Sequence, residues 1–179
     1  MYKSYAGIGS RATPPNILKI MNKVATHLVT KGYVLRSGGA NGCDIEFETG
    51  CDKGNGLKEI YLPWSGFNNS SSKLVVKDKM AFEIAEKYHP YWSKLSQGAA
   101  KLQARNSHQI LGMDINTPCD FVICHTKKGK MVGGTSQALR IAKDYNIPIF
   151  NLGTYEDSSD EFIIGELKKF LNENMKGDE

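Results

Sequence analysis

Three short segments carry the side chains that could bind phosphate. They are Gly7–Arg11 (GIGSR), Arg36–Asp44 (RSGGANGCD) and His125–Gln137 (HTKKGKMVGGTSQ). Glycine lets backbone N–H groups approach a ligand closely, and the N-terminus of a following helix favours anions. Serine and threonine add hydroxyl donors, and arginine adds a planar fork suited to phosphate. These residue types indicate a small-molecule phosphate or nucleotide site, with donors from Ser10, Arg11, Arg36, Ser37, Thr135 and Ser136.

Two well-defined phosphate motifs do not match the sequence. The segment GIGSRA has the first two glycines of the Gly-x-Gly-x-x-Gly dinucleotide motif but lacks the third, and no Gly-x-x-x-x-Gly-Lys-Ser/Thr loop occurs. An ordinary hydride-transferring dehydrogenase and an NTPase are therefore disfavoured.

Three acidic residues follow the second segment. Asp44 and Glu48 are four residues apart and share one face of the expected helix, whereas Glu46 is expected to be solvated. Acids favour the first turn of a helix electrostatically, and this alone could explain Asp44. Alternatively, one acid holds ribose hydroxyl groups or acts as a general acid or base. Asp44 and Glu48 are the candidates for such a catalytic role.

Strands and helices are predicted to alternate along the whole chain. This pattern favours an α/β fold in one domain over residues 1–179, with a Rossmann-like, doubly wound, mainly parallel sheet of about five or more strands and helices on both faces. The ligand of such a sheet binds at the carboxyl ends of the strands. A long loop is expected over Trp64–Asp78. The predicted strands are Tyr2–Ile8, Tyr33–Leu35, Lys58–Leu62, Cys119–Cys124 and Pro148–Leu152.

Composition narrows the class of protein. The formal net charge of +4 is compatible with a phosphate-bearing ligand, but it is far below that of a dedicated DNA-binding domain. We expect no signal peptide and no membrane span, and hence a cytoplasmic protein. The four cysteines show no Cys-x-x-Cys pair and are expected to be free thiols. The histidine and cysteine spacing predicts no metal site, and we expect no cofactor.

With these motifs, the chain resembles the SLOG superfamily over about Tyr5–Leu152. This superfamily groups the Rossmann-like domain of the DNA processing protein A (DprA/Smf) family with LOG-type phosphoribohydrolases. The chain is most similar to compact DprA-like proteins common in phage genomes, and the resemblance implies a homo-oligomer. The ligand contacts that it implies are Gly9, Ser10, Arg11, Ser37, Gly38, Gly39, Asp44, Arg105, Asn106, Gly133, Gly134 and Thr135.

One departure from the superfamily pattern bears on activity. LOG enzymes carry Pro-Gly-Gly-x-Gly-Thr-x-x-Glu with a catalytic glutamate, whereas this chain has MVGGTSQ over residues 131–137 and no acid before Asp144. The leading hypothesis is therefore a protein that senses or sequesters a nucleotide or an ADP-ribose-like ligand. The alternatives are an N-glycosidase acting on nucleotides, in which Asp44 or Glu48 replaces that glutamate, and a DprA-like single-stranded DNA-binding recombination mediator.

Three further features have both a structural and a functional interpretation. Lys127, Lys128 and Lys130 are either a solvated loop or a basic cluster beside the third segment. The loop that starts at Trp64 either stacks on a base and covers the site or packs over the core. His125, at the end of a strand, either reaches the substrate or is structural.

Overall fold

The computed structural model describes residues 2–175 and 177. Four residues of the range 1–179, which is expected to form one domain, lie outside the described residues: Met1, Lys176, Asp178 and Glu179. The strands are β1 (Ser4–Gly9), β2 (Val34–Ser37), β3 (Lys58–Leu62), β4 (Leu74–Val75), β5 (Phe121–His125) and β6 (Ile149–Asn151). The helices are α1 (Pro15–Thr30), α2 (Cys43–Lys53), α3 (Lys79–Tyr88), α4 (Gln97–Leu111), α5 (Thr135–Asp144) and α6 (Asp160–Asn174).

The strands pair in parallel in one sheet of order β4–β3–β2–β1–β5–β6. One apolar cluster packs α1, α2 and α6 against the sheet, and a second packs α3, α4 and α5. Strand β5 is buried along its whole length because helices cover both faces at this position. The predicted doubly wound parallel sheet with helices on both faces is confirmed.

Four of the five predicted strands begin or end one or two residues from the observed boundaries, and only that over Lys58–Leu62 coincides. The long loop expected over 64–78 contains the short strand β4, whose Leu74 pairs with Tyr61 of β3. Helix α4 begins at Gln97, since the Ser96 hydroxyl oxygen accepts a hydrogen bond from the Ala99 N–H at 3.2 Å and caps the helix.

The structure also bears on membranes, thiols and metals. None of the helices in the described part of the chain is long and apolar enough to cross a membrane. All four cysteines are buried free thiols. Within residues 2–175 and 177, no three His, Cys, Asp or Glu side chains come together as a metal-binding group.

Candidate functional site

Three turns lie at one edge of the sheet. We call them turn 1 (Gly9–Arg11), turn 2 (Gly38–Gly42) and turn 3 (Gly133–Ser136). They follow β1, β2 and β5, which are neighbours in the order β2–β1–β5 and run in parallel, so the turns meet at the carboxyl edge. The chain passes from β1 to β2 on one side and returns to β5 on the other. Turns 1 and 3 therefore flank the switch point, where sheets of this kind bind ligands.

Helix α4 ties turn 2 to turn 3. The buried guanidinium of Arg105 donates hydrogen bonds to the carbonyl oxygens of Gly38 and, at 3.3 Å, of Tyr61. The next residue, Asn106, donates from Nδ2 to the carbonyl oxygen of Gly134 at 3.1 Å. The Arg-Asn pair therefore holds two turns at a set separation, and its side chains are turned toward backbone rather than toward solvent.

Asp44 ties turn 1 to turn 2. Its carboxylate is buried and accepts a hydrogen bond from the N–H of Ala40 at 3.3 Å, and the backbone N–H groups of Gly9 and Gly38 also face it. Burial raises the pKa of Asp44 from 3.8 to about 6, and the Arg105 charge and these N–H groups oppose the rise. A carboxyl group that titrates near neutral pH can exchange a proton during catalysis.

The outer side of the edge carries unpaired positive groups. The Arg11 guanidinium is exposed and has no partner among residues 2–175 and 177. Helix α5 starts at turn 3 with neither a side-chain cap nor an acid in its first turn, so the positive end of its dipole favours an anion. The N–H groups of Ser136 and Gln137 already donate to the carbonyl oxygens of Gly133 and Gly134, at 3.2 and 3.3 Å. Lys127 and Lys130 are exposed on the segment that leads into turn 3. Together these groups favour a negatively charged ligand between turns 1 and 3.

The interpretation of Arg36 as a ligand donor needs correction. Its side chain is fully buried. Nε donates to Glu59 of β3 at 2.9 Å, and Nη1 donates to the carbonyl oxygen of Thr117, in the segment between α4 and β5, at 2.6 Å. Nη2 donates to the Tyr2 hydroxyl oxygen at 2.8 Å. The guanidinium is thus occupied by internal partners and does not reach the turns.

Glu48 is also placed away from the turns. Its carboxylate pairs at 2.9 Å with Lys58, the first residue of β3, and this position is at the amino end of the strand. Because the three turns follow the carboxyl ends of their strands, Glu48 lies at the opposite edge of the sheet from them.

The serines near the turns have internal roles. Ser37 donates from its hydroxyl to the Gly7 carbonyl oxygen at 2.6 Å and is fully buried. Ser136 donates to the Gly133 carbonyl oxygen at 2.6 Å, which shapes the start of α5. The Ser10 hydroxyl oxygen accepts from the Ala12 N–H at 3.1 Å and is less buried. Of these hydroxyl groups, that of Ser10 is the most accessible to a ligand.

A buried polar chain beneath turn 1 was not predicted. Nε2 of His125 lies 2.9 Å from a carboxylate oxygen of Glu156, and Nδ1 lies 3.0 Å from the Thr13 hydroxyl oxygen. Thr13 also donates to the Ser10 carbonyl oxygen at 2.9 Å and lies 3.0 Å from the Cys43 sulfur. These buried polar contacts thus connect the segment before α6 with turn 1.

The local sequence offers little sign of this chain. Thr13 fits the pattern of a helix cap before Pro14, but the structure shows no side-chain cap at the start of α1. The Thr13 hydroxyl instead contacts His125. Glu156 lies in a polar stretch after β6, and nothing in its neighbours singles it out. Of these residues, only His125 was a candidate from the sequence, because it lies at the end of a strand.

An apolar groove lies elsewhere on the molecule. It has a volume of about 210 Å³ between α1 and α6, and Lys23, His27 and Lys168 are the basic residues of its lining. None of the residues of the three turns lines it. We therefore assign the candidate functional site, which needs converging polar groups, to the carboxyl edge rather than to this groove.

The fold defines a class, the Rossmann-like α/β proteins with a parallel sheet and helices on both of its faces. DNA processing protein A from Helicobacter pylori, described as binding single-stranded DNA in a unique mode, matches with a TM-score of 0.56 and 21% identity over 93% of this chain and 81% of that chain. DNA processing protein A from Streptococcus pneumoniae matches with a TM-score of 0.57 and 17% identity over 99% and 63%.

A third solved structure, the Moco carrier protein from Chlamydomonas rheinhardtii, matches with a TM-score of 0.56 and 14% identity over 96% of this chain and 99% of that chain. No protein-family model and no curated protein matches the sequence. At these identities the likeness is one of fold, and the fold agrees with the resemblance to DprA-like SLOG proteins.

Proposed function

We propose that the carboxyl edge of the sheet binds the phosphate groups of a nucleotide or a nucleotide-derived ligand, and that the protein senses or sequesters it. The observation that supports the proposal is the parallel pairing of β1 with β5 at the switch point, because the segments that follow these two strands lead to Arg11 and to the N-terminus of α5. Phosphate lies on turns 1 and 3, where the free donors are.

The residues of the site divide into those that are proposed to contact the ligand and those that support the turns. Gly9, Ser10, Arg11, Gly133, Gly134 and Thr135 are the proposed contacts. The turns are held by Asp44, Arg105 and Asn106, whose polar groups face backbone groups or one another. Turn 2 itself includes Gly38 and Gly39. Ser37 and Ser136 support the turns through the Gly7 and Gly133 carbonyl oxygens.

Gly134→Ala tests this function while leaving the fold intact. Gly134 has helical backbone angles (φ −63°, ψ −33°), and a Cβ added there meets no other heavy atom of the described chain within 4 Å. Alanine is therefore tolerated in the folded protein, but its methyl group blocks close approach of phosphate to the turn. Gly165→Ala in α6 is the matched control, since its Cβ also meets nothing within 4 Å.

The measurement is calorimetric titration with nucleoside 5′-monophosphates, nucleoside diphosphates and ADP-ribose. We expect Gly134→Ala to weaken binding by about 10-fold or more at an unchanged melting temperature, and Gly165→Ala to bind like the parent. Equal binding by both variants contradicts phosphate at turn 3. If the parent protein binds none of these compounds, the nucleotide hypothesis is wrong.

An N-glycosidase is the second candidate, and the buried carboxyl group of Asp44 favours it. A pKa of about 6 suits a general acid. In this case incubation with nucleoside monophosphates releases free base, which chromatography detects, and Asp44→Asn abolishes the release while the nucleotide stays bound. Recovery of intact nucleotide from the parent protein supports binding alone.

Single-stranded DNA binding is the third candidate, favoured by exposed Lys127, Lys130 and Arg11 along one edge. The Helicobacter pylori protein of the same fold is described as binding single-stranded DNA. An oligonucleotide that spans this edge releases counterions, so its affinity falls steeply with salt. We expect Lys127→Ala with Lys130→Ala to reduce that slope, and Lys31→Ala, an exposed position just after α1, to leave it unchanged. Shallow salt dependence argues for the small-molecule site.

A further inference from the structure

The segment after β3 displays an indole beside turn 2. The Trp64 side chain is 40% exposed, although a ring of this size is usually much more buried. Its ring forms a T-shaped contact with Phe67, with ring centroids 5.3 Å apart. Phe67 in turn lies 5.7 Å from the guanidinium carbon of Arg105, the residue that ties turn 2 to the rest of the edge. An aromatic and cationic stack therefore extends from the buried edge to the surface.

This segment is held in one conformation. Asn68 donates from Nδ2 to the Gly39 carbonyl oxygen at 3.0 Å and to the Asn41 side-chain oxygen at 2.9 Å. Gly66, Asn68 and Asn69 all have left-handed backbone angles, with φ of 76°, 50° and 59°. Glycine and asparagine are the residue types that adopt this region most readily, so the sequence suits the conformation that the contacts with turn 2 hold. Such a segment presents Trp64 in a preorganised position.

The position of Trp64 fits the length of a nucleotide. It follows β3, which lies two strands from β1 in the order β3–β2–β1. Neighbouring strands are about 4.8 Å apart, so the end of β3 is roughly 10 Å from turn 1 along the edge. This separation is comparable to the reach of a nucleoside monophosphate from its phosphate to its base.

We propose that the exposed face of Trp64 is a stacking site for the base of the ligand whose phosphate binds at turns 1 and 3. The proposal rests on the proposed function and adds the class of the ligand, a nucleoside phosphate with an aromatic base. Stacking on an indole tolerates any base because every base has a flat π face. Phosphate and base are thus recognised by separate parts of one edge, with turn 2 between them.

The chain has two tryptophans, and this makes the site directly observable. Trp92→Phe leaves Trp64 as the sole indole. We expect adenosine, guanosine, cytidine and uridine 5′-monophosphates to change the Trp64 fluorescence of this variant on binding, and ribose 5-phosphate to bind without that change. In the parent protein, Trp64→Ala should lower the affinity for at least one monophosphate by about 10-fold or more, since stacking contributes that much per base.

Ribose 5-phosphate is the internal control, because it reaches turns 1 and 3 but has no base. Its affinity should be the same for the parent protein and Trp64→Ala, which also shows that the variant is folded, and Trp64→Phe should keep part of the monophosphate affinity. If monophosphates and ribose 5-phosphate bind equally well and Trp64 fluorescence does not change, the stacking site is wrong while the phosphate site stands. If no probe binds, both proposals are wrong.

Discussion

The imidazole Nδ1 of His125 lies 3.0 Å from the hydroxyl oxygen of Thr13, and this contact joins two segments that are 112 residues apart in sequence. Glu156 lies on the other side of the ring, 2.9 Å from Nε2. A ring bonded at both nitrogens is fixed in orientation, and Thr13 passes this constraint to the Ser10 carbonyl oxygen. Turn 1 is therefore supported from below by a buried polar chain rather than by backbone pairing alone.

Replacing His125 should destabilise the protein. His125→Ala removes a fully buried ring and leaves Thr13 and Glu156 without their shared partner. We expect the free energy of unfolding to fall by about 2–4 kcal/mol, from the cavity and the lost hydrogen bonds. Urea denaturation measures it. His27→Ala, at an exposed position of α1, should change stability by less than about 0.5 kcal/mol. Similar effects of the two variants would show that the polar chain contributes no stability.

The buried carboxyl group of Asp44 makes stability depend on pH. Its pKa of about 6 in the folded protein lies above the ordinary value of 3.8, so the folded protein binds this proton more tightly than the unfolded chain does. The destabilising effect of the buried charge is fully present above about pH 6 and is relieved as the pH falls toward about 4. The parent protein should therefore gain stability relative to Asp44→Asn over this interval.

Urea denaturation of the parent protein and Asp44→Asn, from about pH 7 to about pH 4, measures that difference. Glu48→Gln is the control, because this acid pairs with Lys58 near the surface and should not reproduce the pH profile of Asp44→Asn. A stability difference between parent protein and Asp44→Asn that stays constant across the interval would rule out a raised pKa for Asp44.

Replacing Arg36 and replacing Arg11 should have opposite effects on stability and on ligand affinity. Arg36→Met removes the charged partner of Glu59 and leaves the Thr117 carbonyl oxygen unpaired, so stability should fall by about 2–4 kcal/mol while ligand affinity stays within about twofold. Arg11→Met should leave stability within about 0.5 kcal/mol, because its side chain is exposed and has no partner in the described part of the chain, but should weaken nucleotide binding by about 10-fold.

Paired urea denaturation and calorimetric titration of both variants test this contrast. A loss of affinity in Arg36→Met without loss of stability would return Arg36 to the ligand site. Unchanged affinity in Arg11→Met would remove Arg11 from it.

The hydrogen bond from Asn106 of α4 to turn 3, which we call the bridge, should contribute more to ligand affinity than to the free energy of unfolding. Asn106→Ala breaks the 3.1 Å hydrogen bond to the Gly134 carbonyl oxygen. We expect a stability loss of about 1 kcal/mol and a several-fold weaker affinity, since turn 3 is no longer held for the ligand. Asn174→Ala in α6 removes a comparable bond, from Nδ2 to the Phe170 carbonyl oxygen at 2.8 Å. It should cost similar stability without loss of affinity, and equal loss of affinity in both variants would contradict the bridge.

The fold class could be predicted from sequence because its signals are local. The buried run CDFVIC, the glycines after each strand and the helical spacing between strands all act within a few residues, and the structure shows the elements where they predict them. Strand β4 was missed because it has two residues within a Ser- and Asn-rich stretch. A strand this short is specified by its pairing with β3 rather than by its own pattern.

The sequence by itself therefore determined the alternation of strands and helices, apart from β4, and the meeting of three glycine-containing turns at one edge, since both follow from local periodicity and from parallel topology. Only the tertiary structure decided which side chains face that edge. Arg36 pairs in register with Glu59 of β3, and its charge is therefore satisfied inside the protein. Thr13, His125 and Glu156 meet although they lie far apart in the chain. Contacts of this kind depend on where distant segments pack, and no local pattern specifies them.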